Sequence, residues 1–186
     1  MRPLIQAYAD ASLISRDNPF MTLARSIVGQ QISVKAADSV WTRLTTMLSD
    51  LTPLAVLSHT LEQLRSCGLS ARKAEYLADL AAHFESGQID TQRWFSSSDE
   101  EIIAELTAVR GIGVWTAEMF LIFNLLRPDV LPLDDIGLQK AVATLYFADQ
   151  RPSRRQLAEL GERWRPWRSV ATWYLWRSLD PVPVEY

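Results

Sequence analysis

The stretch Val109-Arg110-Gly111-Ile112-Gly113 joins two segments in which apolar residues recur at helical spacing. Glycine adopts a positive φ readily and lets another group come close to the backbone, so two neighbouring glycines predict a tight turn. The amides after Gly111 stand at the start of the second segment, where the dipole of a helix attracts an anion. We predict a helix, a tight turn and a second helix over residues 98–126. Such a turn alone is more often only the end of one helix and the start of the next.

Apolar residues elsewhere also recur mostly at helical spacing, and no alternating pattern of convincing length predicts a strand. Asn18 and Pro19 suit the N-cap and the first turn of a helix, and Ser33 suits the N-cap of the next one. Later helices are predicted over residues 61–66, 70–84, 98–106, 114–126, 136–146, 153–164 and 166–179. The predicted fold class is therefore all-α.

The composition is that of an ordinary globular protein, with 48% hydrophobic and 22% charged residues in a chain of 186. We expect one compact domain, or two small lobes that share a core. A single cysteine, Cys67, excludes an internal disulfide framework, a cysteine-ligated zinc site and a four-cysteine iron–sulfur cluster within the chain. No run of about 18 uncharged apolar residues is present, and residues 1–12 lack the features of a secretory signal. We expect an intracellular protein with no membrane partner.

The charge distribution is uneven. The net charge of −3 argues mildly against a nucleic-acid partner, since proteins that grip phosphates usually carry a surplus of lysine and arginine. Acidic residues gather over residues 96–105. Arginines crowd the C-terminal quarter, at Arg151, Arg154, Arg155, Arg163, Arg165, Arg168 and Arg177. A basic surface can exist on this acidic chain, although arginines spread over helices are by default a solvated face.

A second motif follows one helix after the turn: residues 131–140 are Leu-Pro-Leu-Asp-Asp-Ile-Gly-Leu-Gln-Lys. With the Gly-Ile-Gly turn, it resembles the signature of the helix-hairpin-helix Gly/Pro-Asp (HhH-GPD) DNA glycosylase superfamily, most closely its 3-methyladenine DNA glycosylase II branch. Residues 27–33, Ile-Val-Gly-Gln-Gln-Ile-Ser, and residues 164–169, Trp-Arg-Pro-Trp-Arg-Ser, support the resemblance. It implies a single two-lobed, all-helical domain over 1–186 with an active-site cleft between the lobes, without the N-terminal β-rich lobe of longer members.

The resemblance implies that Asp135 is the catalytic carboxylate, because Asp-x-Gly-Leu-x-Lys matches the superfamily's Asp-x-His/Gly-aliphatic-x-basic pattern. Cleavage between base and deoxyribose develops positive charge on the sugar, which a carboxylate in a water-poor cleft stabilises. The same carboxylate could orient or deprotonate the attacking water. From the residues alone, Asp134 and Asp135 are equally well explained as caps of a helix beginning at Ile136. The resemblance favours Asp135 for chemistry and leaves a capping or fold-supporting role to Asp134.

The resemblance also places Trp115, Met119 and Trp176 around the base. Aromatic faces attract cations, and 3-methyladenine and 7-methylguanine nucleosides carry positive charge on the base. Met119 replaces an aromatic residue of some relatives, so the pocket is expected to be wider or less stacked. Members that also cut the strand carry a lysine where Trp115 stands, and tryptophan cannot form a Schiff base. The other tryptophans are expected in the core: Trp41, Trp94, Trp164, Trp167 and Trp173. His59 and His83 lie in no motif.

A base in duplex DNA must be extruded for reaction, and an inserted side chain usually fills the vacated space. The resemblance places this wedge at Gln31, in the loop after Gly29 and Gln30. A glutamine there could hydrogen-bond the orphaned partner base. An exposed polar loop residue is an equally good account of Gln31.

Two groups of phosphate contacts are expected. The resemblance implies a monovalent cation, Na⁺ or K⁺, that bridges the hairpin to a DNA phosphate and is held by the backbone carbonyls of Thr107, Val109 and Ile112. It implies that the phosphate-facing amides are those of Gly111, Gly113 and Thr116. A second contact could come from Ser70, Arg72 and Lys73, although a capping serine with exposed basic neighbours explains these residues equally well. No cofactor is expected for catalysis.

Together these features predict a monofunctional DNA glycosylase that removes alkylated bases during base excision repair and leaves an abasic site. Its partner would be damaged double-stranded DNA, and a monomer is the simplest oligomeric state. In a bacterium we expect it in the cytoplasm, associated with the nucleoid. A non-catalytic helix-hairpin-helix DNA-binding module is the main alternative, and a helical protein-interaction domain a third. Neither alternative assigns a role to Asp135.

Overall fold

The computed structural model describes residues 1–9, 12–16 and 18–180. These residues form eleven α-helices and one short 3-10 helix, Arg93–Phe95, and contain no strand, which confirms the predicted all-α class. The helices are α1 Arg2–Ala7, α2 Pro19–Gly29, α3 Val34–Leu48, α4 Pro53–Leu57, α5 Leu61–Ser66, α6 Ala71–Glu85, α7 Asp99–Thr107, α8 Val114–Phe123, α9 Ile136–Tyr146, α10 Arg154–Glu162 and α11 Arg168–Leu179. Within the described ranges, none of them combines the length and apolarity needed to cross a membrane.

Most of the longer helices have a polar residue at the N-cap. The side chains of Asn18, Ser33 and Ser70 accept hydrogen bonds from backbone amides of the first turns of α2, α3 and α6. Ser98 and Ser153 do the same for α7 and α10, where a side chain three residues later completes a capping box. The caps predicted at Asn18 and Ser33 are confirmed.

Three predicted helix ends are wrong. Helix α10 ends at Glu162 rather than at residue 164, because the amides of Arg163 and Trp164 bond to the carbonyls of Leu160 and Gly161, three residues back. Helix α8 stops at Phe123 rather than at residue 126, because Leu126 adopts a φ of 51° and the amide of Arg127 turns back to the carbonyl of Leu121. Helix α11 begins at Arg168, two residues later than predicted. The five-residue helix α4 was not predicted, since a helical period cannot be recognised over so short a segment.

The described chain separates into two compact units. We call the described residues of 1–15 and 121–180 the aspartate unit, because it contains Asp135, and those of 16–120 the hairpin unit. In the hairpin unit, α6 packs against α2, α4 and α5. Fully buried leucines and isoleucines fill this core, among them Leu23, Ile27, Leu44, Leu64 and Leu77. Burying each such side chain contributes about 1.5–3 kcal/mol.

In the aspartate unit, α9 and α1 both pack against α11. Its core contains Leu138, Ala141, Val142, Leu157, Leu160 and Leu175. Of the tryptophans predicted to lie in cores, Trp94 and Trp173 are buried, but Trp167 is 59% exposed, so that prediction is wrong for Trp167. Trp167 is the N-cap of α11, ahead of the first helical turn.

Candidate active site

Asp135 is a buried carboxylate at the start of α9 and is only 7% exposed. Its Oδ1 accepts a hydrogen bond of 2.6 Å from the amide of Leu138, which makes Asp135 the N-cap of the helix. The same oxygen accepts a second bond of 2.8 Å from Nε1 of Trp176, on α11. Hydrogen bonds to an ionised acceptor are stronger than neutral ones, and a helix N-terminus favours negative charge. The site therefore holds a fixed carboxylate, suited to face a developing positive charge.

The adjacent carboxylate has a different environment. The side chain of Asp134 is 68% exposed and forms an ion pair with Arg154 on α10. Asp134 lies one residue before the cap, so the capping role offered to it belongs to Asp135 instead. Of the two neighbouring aspartates, only Asp135 is removed from water.

An aromatic pair stands beside Asp135. The rings of Phe123 and Trp176 stack with centroids 5.7 Å apart and an interplanar angle of 18°. A Cβ atom at Gly137 would lie 3.1 Å from Cδ1 of Trp176 and 3.2 Å from Oδ1 of Asp135. The motif's glycine thus leaves room for the indole to approach the carboxylate. The sequence pattern contained Gly137, but nothing in it pointed to Phe123.

A buried serine shapes the loop that leads to Asp135. Ser169 is 1% exposed, and its hydroxyl donates to the carbonyl of Arg127 at 2.6 Å while accepting from the amide of Val130 at 2.9 Å. Its own amide donates to the carbonyl of Pro128 at 3.0 Å. This single residue on α11 satisfies three backbone groups of the loop, which fixes the path of the chain toward α9.

Two arginines neutralise the carboxylate of Asp129 in the same loop. Nε of Arg168 donates to it at 2.7 Å, and Nη1 of Arg165 lies 2.9 Å from it. Burial alone would raise the pKa of Asp129, but the hydrogen bonds and charge of Arg168 and the charge of Arg165 outweigh it, so the pKa lies below its ordinary value.

This lowered pKa predicts a pH-dependent stability. A depressed folded-state pKa stabilises the folded protein above the ordinary value of about 4, and that contribution is lost as the pH falls through the depressed value. We expect the free energy of unfolding of Asp129→Asn, from urea titrations between about pH 6 and pH 2, to fall less than that of the wild type. Asp134→Asn, which changes an exposed carboxylate nearby, is the control and should follow the wild type. Parallel curves for Asp129→Asn and the wild type would contradict the prediction.

The predicted hairpin joins α7 and α8 and is confirmed. Gly111 has a φ of 86°, and a Cβ atom there would lie within 2.7 Å of three atoms of the Tyr76 ring. The amide of Ile112 donates to the carbonyl of Val109 at 3.2 Å, and both side chains are buried. The carbonyl of Gly113 accepts from the amide of Ala117, which begins α8. Thr116, in the first turn, is 8% exposed.

Helix α6 holds the turn through Asp79. Asp79 accepts a hydrogen bond of 2.8 Å from the amide of Arg110, and it also pairs with the Arg110 guanidinium. The hydroxyl of Thr107 donates to the carbonyl of Ile103, within α7. The amides of Gly111 and Gly113 thus belong to a turn that is anchored on helix α6.

The loop of Gln31 is tied to the hairpin by its neighbour. Nε2 of Gln30 donates to the carbonyl of Gly111 at 2.8 Å. Gln31 is exposed and adopts a φ of 57°, which is uncommon for a residue other than glycine. Sequence reasoning missed the role of Gln30, although the repeated glutamine was part of the motif. Gln31 is therefore exposed on the hairpin unit, in a loop that Gln30 ties to the hairpin.

The second group of predicted phosphate contacts has structural roles of its own. Ser70 caps α6 by accepting from the amide of Lys73 at 3.2 Å. The ammonium of Lys73 donates to the carbonyl of Val28, near the end of α2, at 2.7 Å, and burial lowers the pKa of Lys73. Arg72 is exposed. A phosphate contact by these three residues stays a prediction.

Two predicted pocket residues belong to the hairpin unit. Trp115 is the second residue of α8 and is 38% exposed, whereas Met119, one helical turn later, is buried. Trp176 belongs to the aspartate unit, where its edge contacts Asp135 and one face contacts Phe123. Their roles in holding a base stay predictions.

The chain contains a helical hairpin with glycines in its turn, followed by a buried aspartate at the start of a helix. The sequence resemblance led us to expect this arrangement. Residues 24–166 match the HhH-GPD superfamily of base excision DNA repair proteins, and the chain belongs to this family. The match covers the hairpin, Asp135 and the loop of Gln31, so the predicted family is confirmed.

Individual relatives agree with this assignment. The chain is 34% identical over 179 residues to DNA-3-methyladenine glycosylase 1 of Schizosaccharomyces pombe, covering 94% of this chain and 78% of that protein. It resembles the crystal structure of a DNA-3-methyladenine glycosidase from Bacillus halodurans, with a TM-score of 0.88 and 36% identity over 95% of this chain and 84% of that one. It also resembles an S. pombe 3-methyladenine DNA glycosylase in complex with abasic DNA, with a TM-score of 0.79 and 31% identity over 98% and 93% of the two chains.

Proposed function

We propose that this protein is a monofunctional DNA glycosylase that hydrolyses the N-glycosidic bond of alkylated bases in double-stranded DNA, as a step of base excision repair. The observation that carries the proposal is the buried Asp135, held by two donors at the start of α9. Relatives named DNA-3-methyladenine glycosylase, one of them solved with abasic DNA, support the same activity.

The chemistry needs few groups. As the bond between C1′ and the base nitrogen breaks, its electron pair leaves with the base and positive charge develops on the sugar. The carboxylate of Asp135 stabilises that charge electrostatically, and a water molecule adds its oxygen to C1′ and loses a proton. A base that is already cationic departs as a neutral molecule, so no general acid is required. The product is an abasic site.

The substrate class follows from charge and aromatic surface. Electron-rich rings attract cationic bases, which favours 3-methyladenine and 7-methylguanine over normal bases. Trp176 has one face on Phe123, so at most its other face could receive a base. Hypoxanthine, ethenoadenine and 1-methyladenine are further candidates. The strand stays uncut, since the Trp115 side chain carries no amine for a Schiff base.

The hairpin is proposed to grip the DNA backbone. Carbonyl oxygens can replace the hydration shell of a monovalent cation. The donor set proposed for Na⁺ or K⁺ consists of such uncharged oxygens, those of Thr107, Val109 and Ile112. The amides of Gly111, Gly113 and Thr116 would face a phosphate, with Ser70, Arg72 and Lys73 as a second contact. The ordered turn and its anchoring on α6 support this role.

Gln31 is proposed as the wedge, and Gln30 should control how well it works. Gln30→Ala removes the bond to Gly111, and losing one hydrogen bond of about 0.5–1.5 kcal/mol should slow base release by roughly twofold to tenfold. The same loss should lower the midpoint of thermal unfolding by about 1–6 °C, so the rates are compared well below it. Gln88→Ala, at an exposed loop position, is the control. A release rate for Gln30→Ala equal to that of the wild type would show that the tie to the hairpin is not needed.

The function is tested by incubating the purified protein with methylated duplex DNA and measuring the free bases by chromatography. We expect 3-methyladenine and 7-methylguanine to be released by the wild type and not by Asp135→Asn. Borohydride should trap no covalent complex. DNA binding without base release would support the non-catalytic module, and neither binding nor release would support an interaction domain.

A further inference from the structure

We infer that Trp176 is a positioning residue for catalysis: its indole N–H holds the Asp135 carboxylate in its working orientation. This role is separate from any contact between the Trp176 ring and a base. The inference rests on the proposed function, since it assigns Trp176 a task for the reaction that Asp135 is proposed to support.

Oδ1 of Asp135 accepts hydrogen bonds from two different helices. The capping bond from the Leu138 amide comes from the same helix as Asp135 and is 2.6 Å long. The terminal torsion of an aspartate is broad and roughly two-fold, so a single bond leaves the plane of the carboxylate poorly defined. The indole of Trp176 adds a second donor, 2.8 Å away, from the separate helix α11. Two donors from different directions define that plane.

The indole of Trp176 is itself held in place. Phe123 stacks on the Trp176 ring at 5.7 Å, which restricts its tilt. Helices α9 and α11, which carry the carboxylate and the indole, pack against each other in the core of the aspartate unit. An indole N–H can only donate, so it holds a carboxylate oxygen and offers no acceptor in return.

Gly137 lies beside this hydrogen bond. Its φ lies outside the left-handed region, and the space beside it explains the glycine. A Cβ there would stand 3.1 Å from Cδ1 and 3.2 Å from Nε1 of Trp176, and 3.2 Å from Oδ1 of Asp135, closer than ordinary contacts. A side chain at 137 would therefore push on both partners of the hydrogen bond. The glycine of the Asp-x-Gly motif keeps the indole and the carboxylate together.

Trp176→Phe separates the two roles of the tryptophan, because it keeps an aromatic ring and removes the N–H. We expect the single-turnover rate of 7-methylguanine release at saturating enzyme to fall roughly tenfold to a hundredfold, as for loss of a hydrogen bond to a charged group. The Kd for a duplex with an abasic site should change by less than about threefold. Trp173→Phe makes the same change on the same helix, where the ring contacts Tyr8 and Tyr174, and should keep the rate within about twofold.

Gly137→Ala tests the contact from the other side. Alanine is a better helix former than glycine by about 1 kcal/mol, and this gain offsets part of the cost of the close contacts at Cβ. We expect the release rate to fall, with a thermal midpoint that changes by no more than a few degrees. An unchanged rate in both Gly137→Ala and Trp176→Phe, in a preparation whose wild type is active and whose Asp135→Asn is not, would overturn the inference and leave the proposed function standing.

A readout independent of activity completes the test. In a ¹H–¹⁵N spectrum, Trp176→Phe removes one indole N–H signal and so identifies it. That signal should move upfield in Asp135→Asn, because a neutral acceptor makes a weaker bond than a carboxylate. A Trp176 signal that is indifferent to Asp135→Asn would overturn the inference even if the wild type released no base. A raised Kd with an unchanged rate at saturation in Trp176→Phe would also overturn it, in favour of base stacking alone.

Discussion

Asp135→Asn is expected to lower the single-turnover rate of base release at least about a hundredfold, the scale of losing one preorganised electrostatic contact to a developing charge. The variant keeps an oxygen acceptor for the Leu138 amide and the Trp176 indole, so the shape of the site is preserved and only the charge is removed. The measurement is a time course of base release with enzyme in excess over a duplex that contains one 7-methylguanine. The Kd for the same duplex is measured alongside.

The neighbouring aspartate provides the matched control. Asp134→Asn makes the same chemical change one residue away, where the carboxylate is exposed and pairs with Arg154. Exposed ion pairs contribute about 0–1 kcal/mol, so the release rate should stay within about twofold of the wild type. A large loss in Asp134→Asn together with activity in Asp135→Asn would reverse the assignment of the two carboxylates.

Gly111→Ala should be the most destabilising of the glycine substitutions at the hairpin. A left-handed φ costs a residue with a side chain about 1–2 kcal/mol, and forcing an atom into an occupied space costs typically 1–3 kcal/mol more. Both apply at Gly111, where φ is 86° and the Tyr76 ring fills the space. We expect the free energy of unfolding, from urea titration, to fall by roughly 2–5 kcal/mol.

Two other glycines separate these causes. Gly87 also has a positive φ, 73°, but nothing lies within 4 Å of the position of its Cβ, so Gly87→Ala reports the backbone cost alone. Gly113 has open space as well, and Gly113→Ala should leave stability within about 0.5 kcal/mol. The variant keeps its amide, but if that amide faces a phosphate as proposed, the added methyl group should hinder the approach of the phosphate and weaken DNA binding. Equal destabilisation in Gly111→Ala and Gly87→Ala would show that the Tyr76 contact does not matter.

Much of the fold could be predicted from the sequence because its local signals agree with each other. Asn18 and Ser33 stand where caps are needed, and helical periods follow them directly. The Gly-Ile-Gly turn was recognisable because only glycine suits the backbone at Gly111. The end of α8 was misplaced because the backbone turns at Leu126, an apolar residue that gives no turn signal of its own.

The candidate site was predictable only in part. Motif order pointed to Asp135, but both aspartates have the same local pattern, and burial, capping and hydrogen bonding in the folded chain separate them. The bond from Trp176 joins residues 41 positions apart, so no local spacing could reveal it. The same holds for the bond between Gln30 and Gly111. Long-range polar contacts decide how the site works, and they follow from packing rather than from periodicity.

The measurement that tests the central claim most directly uses a duplex with a single 7-methylguanine and a label at one strand end. After incubation with the wild-type protein, free 7-methylguanine and strand length are measured in the same sample. We expect the base to be released while the strand stays whole until hot alkali cleaves it at the abasic site. Duplex that is bound by the protein but keeps its 7-methylguanine would contradict it.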